Sequence, residues 1–325
     1  MSITTPGQKK IEKLDRLAEL SAAKREEQGV SLWREASRRL RRSPAAIVGA
    51  AILAVFVLVA IVGPFLVPYS PTDTVGIREG VVRSGQGIIP GASAEHWLGY
   101  DHQGRDLFSR LVVGARQTLL VGVVATLIGL SIGALIGGVA GACAGLGGRI
   151  GRSVDSTLMR FVDMLLALPG LLLAVSIAAL LGPSLATVMI AVGVVSVPIF
   201  ARLLRGSMLS QANNDYVLAA TSLGVVRSRI AFSHILPNSV APVIVQATLT
   251  LATAIIEVAA LSFLGLGNPD TAVPEWGVML ADAQPYLGVR PGLAVYPAVA
   301  IIITALAFTL LGEAMREALD PKLRR

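Results

Sequence analysis

Charge is what this chain has least of. Only 15% of its 325 residues are charged, while 54% are hydrophobic. A soluble domain carries about 25% charged residues, and a chain this short has no interior large enough to hide so much apolar surface. Lipid must cover the remainder. Cysteine is nearly absent too. Cys143 stands alone in an Ala/Gly-rich apolar run, which excludes an intrachain disulfide, a CxxC pair and a Cys/His metal cluster. Histidine occurs three times, at His96, His102 and His234, each outside the long apolar runs. The segment Gly129-Leu-Ser-Ile-Gly133 matches G-x-S-x-G, but a serine nucleophile needs a base beside it. With no histidine in the apolar runs, an intramembrane hydrolase is excluded. The P-loop is missing as well. Its nearest match, Leu146-Gly-Gly-Arg-Ile-Gly-Arg152-Ser153, has leucine for the first glycine and arginine for the lysine, and it follows an apolar helix rather than a strand. The chain is therefore expected to bind no nucleotide. Glu95, His96, Asp101 and His102 cluster in one polar segment, but without HExxH or cysteine they read as exposed groups of a folded loop, and no metal site is expected.

What is present is a series of apolar runs. A membrane-spanning helix needs about 20 apolar residues, and six stretches qualify: 45–68, 111–142, 157–181, 185–204, 239–264 and 293–311. The first is too long for a cleaved signal core of about 7–15 residues and is read as a retained span. The second is too long for one straight crossing and must tilt or project beyond the bilayer. Within it Gly129, Gly133, Gly137, Gly141 and Gly145 recur at every fourth position. That spacing lines them along one helix face, where a second helix backbone can approach closely. The fold class expected is an all-α integral membrane protein with six spans. A tail at 1–44 precedes the first span at 45–68. A loop at 69–110 leads to a core at 111–313, which contains a polar loop at 205–238. A second tail occupies 314–325.

The net charge of +7 is distributed as a membrane topology signal rather than as a nucleic-acid footprint, so no nucleic-acid partner is expected. Six spans place both termini on one side. Lys and Arg number 22 on that side and 5 on the other, with Arg116 inside a span. The richer side is expected to be the cytoplasm. Both termini and the 205–238 loop then face inward, and the 69–110 and 265–292 loops face outward. In the basic tail, residues 31–42 (SLWREASRRLRR) place Trp33 and Leu40 among arginines, a pattern suited to a helix on an anionic lipid surface. Charges inside spans are costly unless paired. Arg116 and Glu257, at similar expected depth, are a candidate ion pair. Asp163 has Arg160 one turn earlier as its expected partner.

The 205–238 loop holds the candidate functional residues. It reads Asp215-Tyr-Val-Leu-Ala-Ala-Thr-Ser-Leu-Gly224 and continues through Ile235-Leu236-Pro237. Asn213 or Asn214 can cap a short helix with Asp215 in its first turn. Gly224 is expected to end it in a left-handed conformation. A second helical stretch should follow to Leu236, with Pro237 and Asn238 marking a break. A short helix with small residues at Ala219 and Ala220 is suited to docking in a groove of another protein.

At these residues the chain resembles the permeases of binding-protein-dependent ABC importers. That family's loop carries a Glu-Ala-Ala segment, a glycine four residues on and a distal Ile-Leu-Pro. Ala219-Ala220, Gly224 and Ile235-Leu236-Pro237 match, whereas Leu218 stands where the family often has glutamate. Further segments are similar to the C-type permease of dipeptide, oligopeptide and nickel importers: His96-Trp-Leu-Gly-Tyr-Asp-His-Gln-Gly-Arg-Asp106, Ser109-Arg-Leu-Val-Val-Gly-Ala-Arg116, Leu261-Ser-Phe-Leu-Gly-Leu-Gly267, Trp276-Gly-Val-Met-Leu280 and Leu319-Asp-Pro-Lys-Leu-Arg324. The resemblance covers residues 43 to the end. It implies a type I permease bundle, a partner permease of similar fold, two ATPase subunits that hold the ATP and Mg, and an extracytoplasmic binding protein. It implies no cofactor or catalysis in this chain, and a role in coupling for Asp215, Tyr216, Ala219, Ala220, Gly224, Leu236 and Pro237. Short peptides are the substrate implied, with nickel or another metal chelate as the alternative. A stand-alone proton-coupled carrier would instead need ionisable residues deep in several spans, and few are present.

Overall fold

The computed structural model describes residues 32–80, 89–146 and 148–319. The expectations for residues 1–31 and 320–325, including most of the first tail and half of the second, lie outside the described residues. Among these there are ten helices of eight residues or more: α1 (Leu32–Leu40), α2 (Pro44–Leu66), α3 (Leu107–Leu146), α4 (Arg149–Leu166), α5 (Gly170–Leu181), α6 (Leu185–Gln211), α7 (Asp215–Ser222), α8 (Ala241–Phe263), α9 (Trp276–Ala283) and α10 (Gly292–Leu319). The only β pairing among the described residues is one isolated bridge, between Tyr100 and Asp106. Five helices, α2, α3, α6, α8 and α10, are long and apolar enough to cross a bilayer. Several helices outrun their apolar stretches. α3 reaches from Leu107 to Leu146, α6 extends to Gln211 and α10 to Leu319.

Local sequence sets the helix starts. Ser43 precedes Pro44, and its hydroxyl accepts the Ala46 N–H at 3.4 Å. Ser184 does the same for Thr187 at 3.0 Å. Each satisfies one N–H that the first helical turn leaves without a partner. The apolar core of α6 is 61% buried within the protein and that of α2 only 22%. So α6 is the central helix, and α2 is peripheral.

α3 and α6 form the main axis, and four of the five glycines at fourfold spacing make it possible. A methyl group on Gly129 would lie 2.6 Å from Ser196 Cβ, one on Gly133 2.6 Å from Phe200 Cβ and one on Gly141 3.0 Å from Met208 Cβ. One on Gly137 would collide with the Ala201 carbonyl oxygen. Gly145 meets nothing within 4 Å, so the stripe ends before it. Residue numbers climb together along this contact. α3 and α6 therefore run parallel, and the chain must cross back between them.

That return crossing corrects the expected third span at 157–181. It is not one helix but two, α4 and α5, bent by 89° at Ala167–Pro169. Pro169 has no N–H to continue the α4 ladder, and its ring pushes Leu168 out of the helical region. At 12 residues, α5 is about 18 Å long, too short for a bilayer of about 30 Å. Its Ala174 and Ala178 are fully buried with Val188, Ala191 and Val192 of α6. α4 is amphipathic and largely exposed.

The other contacts fix the two ends. Near the start of α2, a methyl group on Gly49 would lie 2.8 Å from the Ala307 carbonyl oxygen of α10, and Gly312 of α10 sits equally close to Leu249 of α8. The first described residues, the last ones and α7 therefore share one end of the bundle. The opposite end carries the segments between α2 and α3 and between α8 and α10.

Replacing Gly137 with valine should force α3 and α6 apart at an overpacking cost of about 1–3 kcal/mol. A lowered thermal-unfolding midpoint of the purified protein checks this, and Gly145→Val should leave the midpoint unchanged.

Candidate docking surface

α7 is joined to α6 by three residues. Asn214 occupies the N-cap position with extended backbone, but its side chain makes no cap hydrogen bond. Its amide instead donates to Gln211 Oε1 at 2.7 Å, and the Tyr216 hydroxyl donates to the same oxygen at 3.1 Å. The start of α7 is thus tied to the last residue of α6. The expected ending is present. Gly224 has φ +76°. Its N–H donates to the Thr221 carbonyl at 3.0 Å, and the Val225 N–H reaches the Ala220 carbonyl at 3.1 Å. This is a Schellman closure, and Val225 and Ala220 pack on the same apolar cluster beneath it.

One side of α7 is anchored and the other is free. Val217 and Ala220 pack toward Phe200, Met208, Ile230 and Ile235. Asp215, Ala219 and Gly224 are exposed. So are three apolar side chains that the sequence reading did not single out for docking: Leu218 (69% exposed), Leu223 (83%) and Val226 (68%). Leu218 is exposed on α7, and Leu223 and Val226 are exposed in the turn that follows it. The signal that could have found Leu218 was its place beside Val217 and Ala220, the inward residues of the helix.

Beyond α7 the structure corrects the expected break at Pro237–Asn238. The chain stays helical through Arg227–Arg229, a π-helical turn at Ile230–Ile235 and a short helix at Leu236–Ser239. The Leu236 N–H reaches back to the Ala231 carbonyl. Pro237 cannot donate, and the wider turn just before it absorbs the lost bond. Leu236 is half-buried on the cluster under α7, and Pro237 is exposed.

Two expected ion pairs do not form. Arg116 and Glu257 are not joined within 4.0 Å; the ion pairs among described residues involve other partners. Helical phase separates them. α8 meets α3 through Ile255, which a methyl on Gly122 would touch at 2.7 Å, and Glu257 is rotated about 200° from it. Asp163 pairs with Arg202 of α6 at 2.5 Å rather than with Arg160.

At the far end, the polar segment expected to be exposed is only partly so: Glu95 is exposed and His102 half-buried, but His96 is 2% exposed and Asp101 6%, and the nearby Asp106 is 1% exposed. His96 Nδ1 lies 2.8 Å from Asp106 Oδ1, with its ring between those of Tyr69 and Tyr100 at 4.3 Å each. Asp106 Oδ2 accepts the Ser109 N–H at 2.7 Å and so caps α3. Asp101 accepts from Arg105 Nε at 2.6 Å and lies 3.4 Å from Arg110 Nε. Both arginines donate to the Thr271 carbonyl, at 2.7 and 2.8 Å. Buried charge thus ties the α2–α3 segment to the α8–α9 segment, although His96 Nε2 and Arg105 Nη2 are buried without a hydrogen-bond partner. No group of three or more metal-ligating side chains occurs among the described residues.

Glu275, missed in the sequence, stands just before α9. It is 1% exposed, and only Oε1 has a partner, the Ser262 hydroxyl at 2.7 Å. Burial pushes its carboxyl up to about 7, with the Ser262 hydrogen bond pulling the other way. The adjacent Trp276 N–H donates to Thr118 Oγ1 at 3.2 Å and its indole N–H to the Leu111 carbonyl at 2.9 Å, wedging α9 against α3.

α7 offers shape rather than chemistry, and it hangs from a bundle whose helices are of lipid-crossing length. That is the build of a membrane transport subunit. Residues 129–325 match the family described as binding-protein-dependent transport system inner membrane component. Residues 31–78 match the N-terminal TM domain of oligopeptide transport permease C. The chain is 43% identical over 295 residues to the dipeptide transport system permease protein DppC of Alkalihalophilus pseudofirmus, covering 91% of each. It is 44% identical over 293 residues to the glutathione transport system permease protein GsiD of Salmonella typhimurium, covering 90% of this chain and 91% of that one. In fold it is similar to a chain of the inward-facing MetNI methionine ABC transporter. The TM-score is 0.52 at 20% identity, over 65% of this chain and 96% of that one. The chain belongs to the inner membrane components of binding-protein-dependent transport systems, as a multi-pass, C-type permease subunit.

The folded-state carboxyl of Glu275 lies above its unfolded value of 4.5, so the folded state binds the extra proton. Stability should then fall as pH rises from about 4.5 to about 7, by about 3 kcal/mol at most, and level off above. Thermal unfolding across that window checks it. Glu275→Gln, which stays neutral, should flatten the slope.

Proposed function

We propose that the chain is one of two homologous permease subunits of an ATP-driven importer of short peptides. In this reading α7 docks in a groove of a partner ATPase. The observation that carries it is the set of exposed apolar side chains, Leu218 on α7 and Leu223 and Val226 in the turn after it, on a helix whose other face packs on α6. Exposed apolar side chains on a short, closed helix fit a groove, and the contact rests on shape rather than on a glutamate at position 218. The peptide substrate is supported by the relatives, which are named for dipeptide and glutathione transport. The placement of α7 in the cytoplasm is supported by 22 Lys and Arg on its side of the chain against 5 on the other.

The mechanism follows from what each end can do. ATP and Mg sit in two ATPase subunits, and their closure moves the docked α7. Because α7 is tied to Gln211, that motion enters α6 and the bundle. The path alternates between two arrangements, each favoured by different contacts with substrate and ATPases. At the outer end, the tied layer of residues 69–110 and 265–292 receives the binding protein.

Uptake of labelled dipeptide by the complex of both permeases, both ATPases and the binding protein, reconstituted in vesicles, tests this reading. Uptake should require ATP and should be competed by unlabelled peptide and not by nickel. Nickel competition would move the substrate to a metal chelate. Uptake by this chain alone without ATP would overturn the coupling assignment.

Gly224→Val should abolish uptake-coupled ATP hydrolysis while leaving the protein inserted. A β-branched residue in a left-handed conformation costs at least about 1–2 kcal/mol and opens the closure of α7. ATPase activity of the membrane-inserted complex, compared with the level of inserted protein, checks this.

A further inference from the structure

α4 is held to the bundle in an unusual way for a helix of 18 residues. Only Asp155 and Val162 of its side chains are buried, while Ile150, Phe161 and Met164 are exposed. Its start packs on the end of α3, where a methyl group on Gly151 would lie 2.5 Å from the Cys143 carbonyl oxygen, but toward α6 apolar packing of the kind that anchors α5 through Ala174 and Ala178 contributes little. Two ion pairs to α6 take its place. Arg205 grips Asp155 with a two-point fork, Nε to Oδ1 at 2.5 Å and Nη2 to Oδ2 at 2.8 Å. Arg202, one turn earlier on the same face of α6, reaches Asp163 at 2.5 Å. The inner pair is 30% and 13% exposed and the outer pair 53% and 55%. The planar fork of arginine fixes direction as well as distance, whereas the outer pair is screened and weak.

The position of these pairs gives them a use. Arg205 lies six residues before Gln211, the residue to which Asn214 and Tyr216 of the α7 junction are bonded. α4 ends at the 89° bend, and beyond it α5 is fastened to the other half of α6. The bent crossing is therefore attached to α6 at two places of different character. One is apolar. The other is ionic and lies within two turns of the end of α6 that carries α7.

We propose that Arg205–Asp155, assisted by Arg202–Asp163, is the link that carries the movement of α7 into the bent α4–α5 crossing. The four are positioning residues for transport. This rests on the reading of α7 as the ATPase-docking helix. When α7 moves, the end of α6 moves with it, the fork drags α4, and the angle at Ala167–Pro169 changes because α5 stays packed.

The test uses the full reconstituted complex and reads two quantities, ATPase subunits retained on the permeases and peptide transported per ATP hydrolysed. Asp155→Asn and Arg205→Gln should each retain the ATPases and lower transport per ATP at least fivefold. The exchanged pair Asp155→Arg with Arg205→Asp should restore it to within twofold of wild type. Asp163→Asn should lower it less than twofold. An unchanged ratio in either inner-pair variant overturns the proposal, as does an exchanged pair that assembles but stays uncoupled. Should the neutral variants fail to assemble, Arg205→Lys keeps the charge and loses the fork. A two- to threefold drop is expected there, and a wild-type ratio overturns the link. Ala219→Arg separates the two readings. If it retains the ATPases, the docking role of α7 fails, whereas retained ATPases with unchanged coupling in the inner-pair variants remove only the link.

Discussion

The close parallel packing of α3 against α6 is the constraint on which the rest of the molecule depends. In lipid there is little hydrophobic drive between helices, so association rests on van der Waals contact and on how near two backbones can come. Glycine at 129, 133, 137 and 141 brings the α3 backbone within reach of Ser196, Phe200, Ala201 and Met208. Because the two helices are parallel, the intervening chain must cross back, and it does so as a bent pair. Because α6 is central, whatever hangs from its end acts on the middle of the bundle.

The two ends of the bundle solve different problems. At one, buried charge and stacked rings stitch two long segments into a layer, with Asp101, Arg105 and Arg110 meeting the Thr271 carbonyl. Buried charge of this kind is tolerable only when each group has partners, and the result is a rigid cap that begins α3 through Asp106. At the other end, apolar side chains are left outside on a small, well-closed helix. Exposed apolar side chains of this kind are of the type that mark surfaces covered by a partner.

Stiffness and compliance are likewise divided by chemistry. Methyl-sized contacts between α5 and α6 have one good arrangement and resist sliding. Ion pairs near water between α4 and α6 keep direction yet exchange readily. The bend at Ala167–Pro169 lies between these two attachments, and nothing but an imino acid and the residue before it is needed to make it.

Much of this was legible in the residues in order. Apolar length specified spans, because a bilayer sets the length it requires. The four-residue glycine spacing specified a packing face, because helical pitch puts such residues in line. Gly224 specified the end of α7, because its left-handed turn is open cheaply to glycine alone. Other features depend on which faces meet in three dimensions, and pitch along one helix does not reveal that. The partner of Asp163 is Arg202, 39 residues away, rather than Arg160 on its own helix. Arg116 and Glu257 share a depth but not a direction. His96 is buried because Tyr69 and Tyr100 stack on its ring and Asp106 meets its Nδ1, and Arg105 finds its carbonyl partner on Thr271, 166 residues further on. Glu275 becomes notable only once Ser262 is placed beside it, and Leu218 is left exposed only once Val217 and Ala220 have taken the inward side. The sequence alone determined the approximate place of the apolar helices and the end of α7 at Gly224, since those depend on neighbours along the chain. Tertiary structure alone decided which charges pair and which apolar side chains remain uncovered, since those depend on neighbours in space.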